Sequence, residues 1–324
     1  MNRAEFFART SLFIGLVLVI LPLWYGWKDT ALIHARMTED GGWSPTVIRA
    51  EVGKPLHLRF TSDDVVHGFA VGQMNMPSVD IYPGKVSEVT LTFDKSGVYT
   101  FYCTRWCGLN HWRMRGVIEV SGEPAEVNSA QPPLYVSLGL NLDAPHEVDF
   151  VPSQTPSAMR GRQYAHTVRF TMSSEYYRTH SPAQLFTELA ATDLSETKRW
   201  DLVAYLWWSN TTTPALANGK HLYTQNCAAC HGEVGAGDGV FAEELARLGE
   251  TSLQSMTGSN GMTMKKPTDF TDPRQMLGAS PALLQGKILR GGMGTGMPMF
   301  GAIFTDEQIW DLVAYLYTFQ FEYP

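Results

Sequence analysis

The chain has 324 residues, enough for about two domains of usual size, and 44% of them are hydrophobic, which excludes a disordered polymer and leaves material for real cores. The formal net charge is −7 and no segment concentrates Lys and Arg, which excludes nucleic acid as a partner. An acidic surface suits basic protein partners instead.

The first stretch, residues 1–30, reads as a membrane anchor. Ser11 to Trp27 carries no charge over 17 residues, with Arg3 and Arg9 before it and Asp29 after it. That length is at the short end for a spanning helix, and Phe6, Phe7 and Ala8 extend it. Trp24, Tyr25 and Trp27 suit the interface. A cleaved signal peptide is the other reading, but the segment Leu-Pro-Leu-Trp-Tyr-Gly-Trp offers no small-x-small cleavage site. The excess of basic residues ahead of the span places everything after residue 30 outside the cytoplasm. The expected location is therefore a cell membrane, crossed once, with the rest of the chain on the periplasmic or extracellular side.

Residues 31–122 are predicted as a small all-β sandwich. Leu56, Leu58 and Phe60 alternate with His57, Arg59 and Thr61, and Val89, Leu91 and Phe93 alternate with Thr90 and Thr92. A period of two describes strands with one face buried. Turn signals at Val52-Gly-Lys-Pro, Tyr82-Pro-Gly-Lys and Asp94-Lys-Ser-Gly separate the strands.

Within this domain Cys103, Cys107, His111 and Met114 recur at intervals of four, four and three. Two thiols, an imidazole and a thioether form a soft donor set that suits copper. Cysteines at this spacing also occur as disulfides or thiol redox pairs; the histidine and methionine that complete the loop favour the metal. Two thiolates can be shared by two copper ions, with a second imidazole from a distant strand, for which His67 is the candidate. His34, His57, His146, His166, His180 and His221 have no such context and read as surface or structural residues.

Residues 123–149, rich in Pro, Ala, Ser and Asn, read as a linker. The chain then becomes helical and contains a repeat. Leu194 to Leu206, with Trp200-Asp-Leu-Val-Ala-Tyr-Leu, matches Phe304 to Leu316, with Trp310-Asp-Leu-Val-Ala-Tyr-Leu, at an offset of 110 residues. Each copy opens on a helix N-terminus signal. Residues 150–211 are taken as a helical segment, either a degenerate haemless relative of the C-terminal domain or a plain helical spacer.

Residues 212–324 hold the other two cysteines, in Cys227-Ala-Ala-Cys230-His231, the attachment sequence for a covalent haem c with His231 on the iron. The sixth ligand is expected from a loop before the last helix, where Gly294-Thr-Gly-Met297-Pro298-Met299 places Met297, with Met293 and Met299 as fallbacks. Met262 and Met264 read as packing residues. A helix from Trp310 to Tyr317 is expected to pack across Tyr223.

Residues 46–120 resemble the CuA domain of haem-copper oxidase subunit II, which also occurs in nitrous oxide reductase, and residues 212–324 resemble a class I cytochrome c. The resemblance implies a cupredoxin-like sandwich followed by an all-α cytochrome c domain. It implies a dinuclear copper held by the bridging thiolates of Cys103 and Cys107, the imidazoles of His67 and His111, the Met114 thioether and the main-chain carbonyl of Arg105. Many subunits II carry a glutamate at the Arg105 position that helps bind magnesium, which an arginine cannot do. Copper chaperones of the Sco type share the cysteine spacing, but their histidine lies downstream of the cysteines, whereas His67 lies upstream.

Neither metal set leaves an open coordination position or a neighbouring acid–base pair, so the chain itself is expected to carry electrons. The resemblance implies the electron-input subunit of a membrane haem-copper terminal oxidase of the cytochrome c oxidase type. Its expected partners are a polytopic catalytic subunit that reduces dioxygen and an external cytochrome or cupredoxin donor. The alternatives are the equivalent subunit of a CuA-type nitric oxide reductase and a membrane-anchored carrier with no fixed catalytic partner. Arg105, Arg113 and Arg115 crowd the copper loop, while residues 212–324 carry 11 acidic against 7 basic residues. The cytochrome domain is therefore expected to dock on this basic rim, with Trp106 or Trp112 near the electron path.

Overall fold

The computed structural model describes residues 32–74, 76–108, 110–122, 132–168, 172–247, 266–292 and 296–324. The predicted anchor, the first part of the predicted linker, and Met262, Met264 and Met293 lie outside them. Among the described residues no helix is long and apolar enough to cross a membrane.

The described residues of the predicted sandwich form nine strands: β1 (Leu32–Ala35), β2 (Trp43–Ser44), β3 (Val47–Glu51), β4 (Leu56–Ser62), β5 (His67–Val71), β6 (Val79–Ile81), β7 (Ser87–Leu91), β8 (Gly97–Tyr102) and β9 (Arg115–Ser121). They make a four-stranded sheet in the order β2-β1-β4-β7 and a five-stranded sheet in the order β3-β9-β8-β5-β6. Pairings are antiparallel except β1 with β4 and β3 with β9. In β4 the alternation does what the sequence predicts: Leu58 and Phe60 are buried, and His57 and Arg59 face solvent. The inner faces meet in a core where Trp43 stands edge-on to Phe101 at 5.5 Å and to Phe60 at 6.1 Å between ring centroids.

β8 and β9 form a hairpin with Tyr102 opposite Arg115, so the connection between them is the segment from Cys103 to Met114. The backbone N–H of Cys103 donates to the Met114 carbonyl at 3.1 Å, closing that loop at its base. The buried indole of Trp43 donates to the same carbonyl, also at 3.1 Å, and so ties the loop to the sandwich core. β5 pairs with β8 through Ala70–Tyr102 and Val71–Phe101, which leaves His67, the first residue of β5, beside the loop.

The helical part has one continuous core, running from Leu142 to Phe321. Its main helices are α1 (Ala158–Arg162), α2 (Pro182–Glu188), α3 (Glu196–Trp208), α4 (Thr213–Asn226), α5 (Ala228–His231), α6 (Pro281–Arg290) and α7 (Asp306–Leu316). Residues 132–149, read from composition as linker, lie against this core. Leu142 is buried, Asp143 pairs with Arg290 at 2.6 Å, and the Val148 N–H donates to the Arg274 carbonyl at 3.1 Å. A few apolar side chains suffice to seat a segment that has no periodicity of its own.

α4 crosses α7 where Gly219 meets the Asp311 carbonyl so closely that a Cβ would overlap it. Tyr223 packs on Tyr315 at 5.4 Å and on Phe319 at 5.2 Å, as expected of the last helix. The same crossing occurs upstream. Gly161 in α1 lies against the Asp201 carbonyl of α3, again with no room for a Cβ. Asp201 and Asp311 are equivalent in the repeat. The residue before each glycine completes the parallel, since Arg160 donates to Asp201 at 3.0 Å and Asn218 to Asp311 at 2.8 Å. α2 and α6 also correspond, starting as Ser181-Pro182-Ala183 and Ser280-Pro281-Ala282 with the serine hydroxyl capping each helix. Trp207 and Tyr317, equivalent in the repeat, touch each other edge to face at 5.9 Å, so the two units face one another through matching positions.

Candidate metal centres

The hairpin and β5 bring together side chains up to 47 residues apart in sequence. Cys103 Sγ and Cys107 Sγ are 3.9 Å apart at the centre. His67 Nδ1 lies 3.7 Å from Cys103 Sγ on one side, and His111 Nδ1 lies 3.7 Å from Cys107 Sγ on the other. Met114 Sδ is 3.9 Å from Cys107 Sγ, and the Arg105 carbonyl oxygen is 3.3 Å from Cys103 Sγ. All six predicted copper ligands are thus in one cluster, and the five side-chain donors are buried.

The crowding of these donors sets their electrostatics. The Cys107 thiol beside it draws Cys103 well below the ordinary thiol range, and the same contact together with burial pushes Cys107 up. Burial opposes charge on His67, yet Cys103 and Asp64 hold its pKa above the ordinary imidazole value. Asp64 takes the Nε2 proton of His67 at 2.7 Å, which leaves Nδ1 turned to the sulfurs. Asp64 was missed from sequence, although an acid three residues before a candidate ligand is a usable signal. The Arg105 side chain turns away to pair with Asp80 at 2.8 Å, so this residue offers the cluster only its carbonyl.

A thiolate–metal bond is about 2.3 Å, so sulfurs 3.9 Å apart can both touch one ion, and a second ion on the opposite side. One imidazole at each end, a thioether and a carbonyl complete donor sets for two soft ions. The residues present fit a copper pair.

At the second site, Cys227 ends α4 and starts α5, so Cys227, Cys230 and His231 lie on one turn, with the His231 N–H donating to the Cys227 carbonyl at 2.9 Å. His231 Nδ1 donates to the Thr268 carbonyl at 3.0 Å, which fixes the tautomer and keeps Nε2 as a ligand. Burial holds the His231 pKa below its ordinary value and pushes Cys227 up to about 12 and Cys230 up to about 11. Three neutral groups therefore line the site.

A cavity of about 730 Å³ is lined by Cys227, Cys230, His231 and Met297 from this domain and by Cys103, His111, Trp112 and Met114 from the sandwich. Trp112 Nε1 is buried with no acceptor among the described residues, and a haem brings carboxylate acceptors. The size, the four predicted ligands and the orphan donor fit a haem. Met299, the fallback ligand among the described residues, is 55% exposed.

The same cavity makes the two sites neighbours. The Trp106 ring lies tilted against His111 at 4.6 Å and against Phe241 of the helical domain at 5.6 Å, so it touches both domains. Of the three arginines of the expected basic rim, Arg115 reaches across, donating to the Met299 carbonyl at 3.1 Å. Arg113 lies over the Trp112 ring at 4.6 Å.

Comparison with known proteins gives two family matches: the periplasmic domain of cytochrome c oxidase subunit II over residues 43–121 and cytochrome c over residues 216–320. Two cytochrome c oxidase subunit 2 proteins of Thermus thermophilus are each 40% identical to this chain over 79 residues. The match covers 24% of this chain in both cases, and 58% and 46% of the relatives, so the chain spans about half the length of the curated relatives it matches. Among solved structures, the periplasmic domain of subunit II of cytochrome oxidase (CoxB) of Bradyrhizobium japonicum is 28% identical, with a TM-score of 0.22, over 24% of this chain and 54% of that one.

Proposed function

We propose, from a chain that joins a subunit II periplasmic domain to a cytochrome c domain, that it is the electron-input subunit of a membrane haem-copper terminal oxidase. It takes single electrons from an external cytochrome or cupredoxin at the C-terminal domain and delivers them by way of the copper domain to a polytopic subunit that reduces dioxygen. The observation that carries this reading is the cavity of about 730 Å³ lined at once by Cys103, His111 and Met114 of the copper set and by all four candidate haem ligands. His67, Cys103, the Arg105 carbonyl, Cys107, His111 and Met114 hold two copper ions, and Cys227, Cys230, His231 and Met297 hold one covalent haem c. When bound, both centres supply one-electron redox chemistry. The protein fixes the ligands: Asp64 orients His67, Thr268 orients His231, and the hairpin base holds Cys103 beside Met114. Buried, pre-placed donors keep reorganisation small.

Residues 1–30 anchor the chain, with both redox domains on the periplasmic or extracellular side. Residues 150–211 are a haemless copy of the cytochrome unit. The support is the paired crossings of Gly161 on Asp201 and Gly219 on Asp311, and the paired Ser-Pro-Ala helix starts. Between these landmarks the first copy is shorter by the stretch that carries Cys227 to His231 and by the Met297 loop.

The test is donor-driven consumption of dioxygen and of nitric oxide, measured side by side on the complex that copurifies with this chain from native membrane. Dominant dioxygen uptake is expected. Dominant nitric oxide reduction would replace the oxidase by a CuA-type nitric oxide reductase, and recovery of the chain without a large polytopic subunit would favour a free-standing carrier.

A further inference from the structure

The loop that carries Met297 is held from two sides, by different domains. Its N–H groups bond inward to the end of α6: Phe300 N–H donates to the Ile288 carbonyl and Gly301 N–H to the Leu289 carbonyl, both at 3.2 Å, while Gly292 N–H donates to the Met297 carbonyl at 3.2 Å. Its carbonyls bond outward to the sandwich. Arg115 donates to Met299 at 3.1 Å, Gln73 Nε2 to Gly301 at 2.9 Å, and the Gln73 backbone N–H to Ile303 at 2.8 Å.

The contact is built into the copper domain. Gln73 has a φ of 60°, a left-handed conformation that a glutamine adopts at a cost, at the turn after β5. That conformation delivers its N–H and its side-chain amide to the same loop. The preceding Gly72 has no room for a Cβ, which would overlap the Ala302 carbonyl. A turn shaped this closely to another domain's backbone is an interface rather than a chance approach.

We propose that the copper domain is the outer clamp of the Met297 loop, with Arg115 and Gln73 as positioning residues that hold the thioether at the haem cavity. The inference rests on the proposed function, in which Met297 is the sixth haem ligand. Seating of the copper domain and ligation of the haem are then one event. The copper ligand Met114 is the chain neighbour of Arg115, so a single rigid element serves both centres.

The experiment uses the full chain loaded with haem and copper, following how fast imidazole displaces the methionine-to-iron absorption band of the oxidised haem. Arg115→Gln and Gln73→Ala each speed displacement about fivefold, the fold-change of one typical net hydrogen bond, and the double variant compounds them. Arg115→Lys, which keeps a donor, restores most of the slow rate, and the copper absorption is retained throughout. A double variant that exchanges at the unmodified rate overturns the clamp. Met297→Leu separates the two readings: if it leaves the band in place, the ligand assignment itself fails, and if it removes the band while the double variant behaves normally, only the clamp fails.

Discussion

Asp64 shows how much of a candidate metal site lies outside its donor atoms. It accepts from His67 Nε2 at 2.7 Å and from the backbone N–H groups of Met37 and Val65, both at 2.6 Å, so its carboxylate is held rigidly while it orients the imidazole. Replacing it by alanine frees the ring to rotate and removes the charge that supports its basicity. Asp64→Ala is expected to lower copper affinity 10- to 100-fold, roughly the cost of losing such an orienting partner. Competition with a copper chelator reads this directly, and the haem absorption serves as internal control. At this scale the thiols, His111 and Met114 were legible because their spacing sits in one short loop. His67 was legible only as a candidate, since its distance from the sulfurs depends on β5 pairing with β8.

At the scale of elements, the helical repeat was partly readable. The Trp-Asp-Leu-Val-Ala-Tyr-Leu segments declared themselves, because an 11- to 13-residue amphipathic helix carries a long pattern. Their partners did not. α1 has five residues, and its equivalence to α4 depends on one glycine lying against one carbonyl. Gly161→Ala and Gly219→Ala should both destabilise the helical domain, by about 1–3 kcal/mol each, the usual cost of forcing extra volume into a packed contact. Urea unfolding followed by far-ultraviolet circular dichroism measures both. A null effect at Gly161 with a large one at Gly219 would show that the first crossing is looser than the second.

For the whole molecule, the shared core has a consequence for cooperativity. Trp207 belongs to the first copy of the helical repeat, is fully buried, and touches Tyr317 of the second copy. Trp207→Ala is expected to cost about 3–5 kcal/mol, and to lower the melting of haem absorbance and of helical signal together. Independent units would instead leave the haem transition where it was. The shared core through Trp207 and Tyr317 is the reason to expect one transition for both copies of the repeat.

The sequence by itself determined which donor groups stand together locally. Cys103, Cys107, His111 and Met114 share one loop, and Cys227, Cys230 and His231 share one turn, so their short spacings point to a soft metal and to haem. It also determined the fold classes, through a period of two before residue 120 and helical repeats after residue 190. Only the tertiary structure decided that residues 132–149 pack rather than dangle, that the two metal sites face a single cavity, and that Gln73 and Arg115 grip the Met297 loop. Those contacts join residues up to 230 positions apart through main-chain carbonyls, and a carbonyl is the one acceptor every residue has, so no sequence pattern marks which will be used.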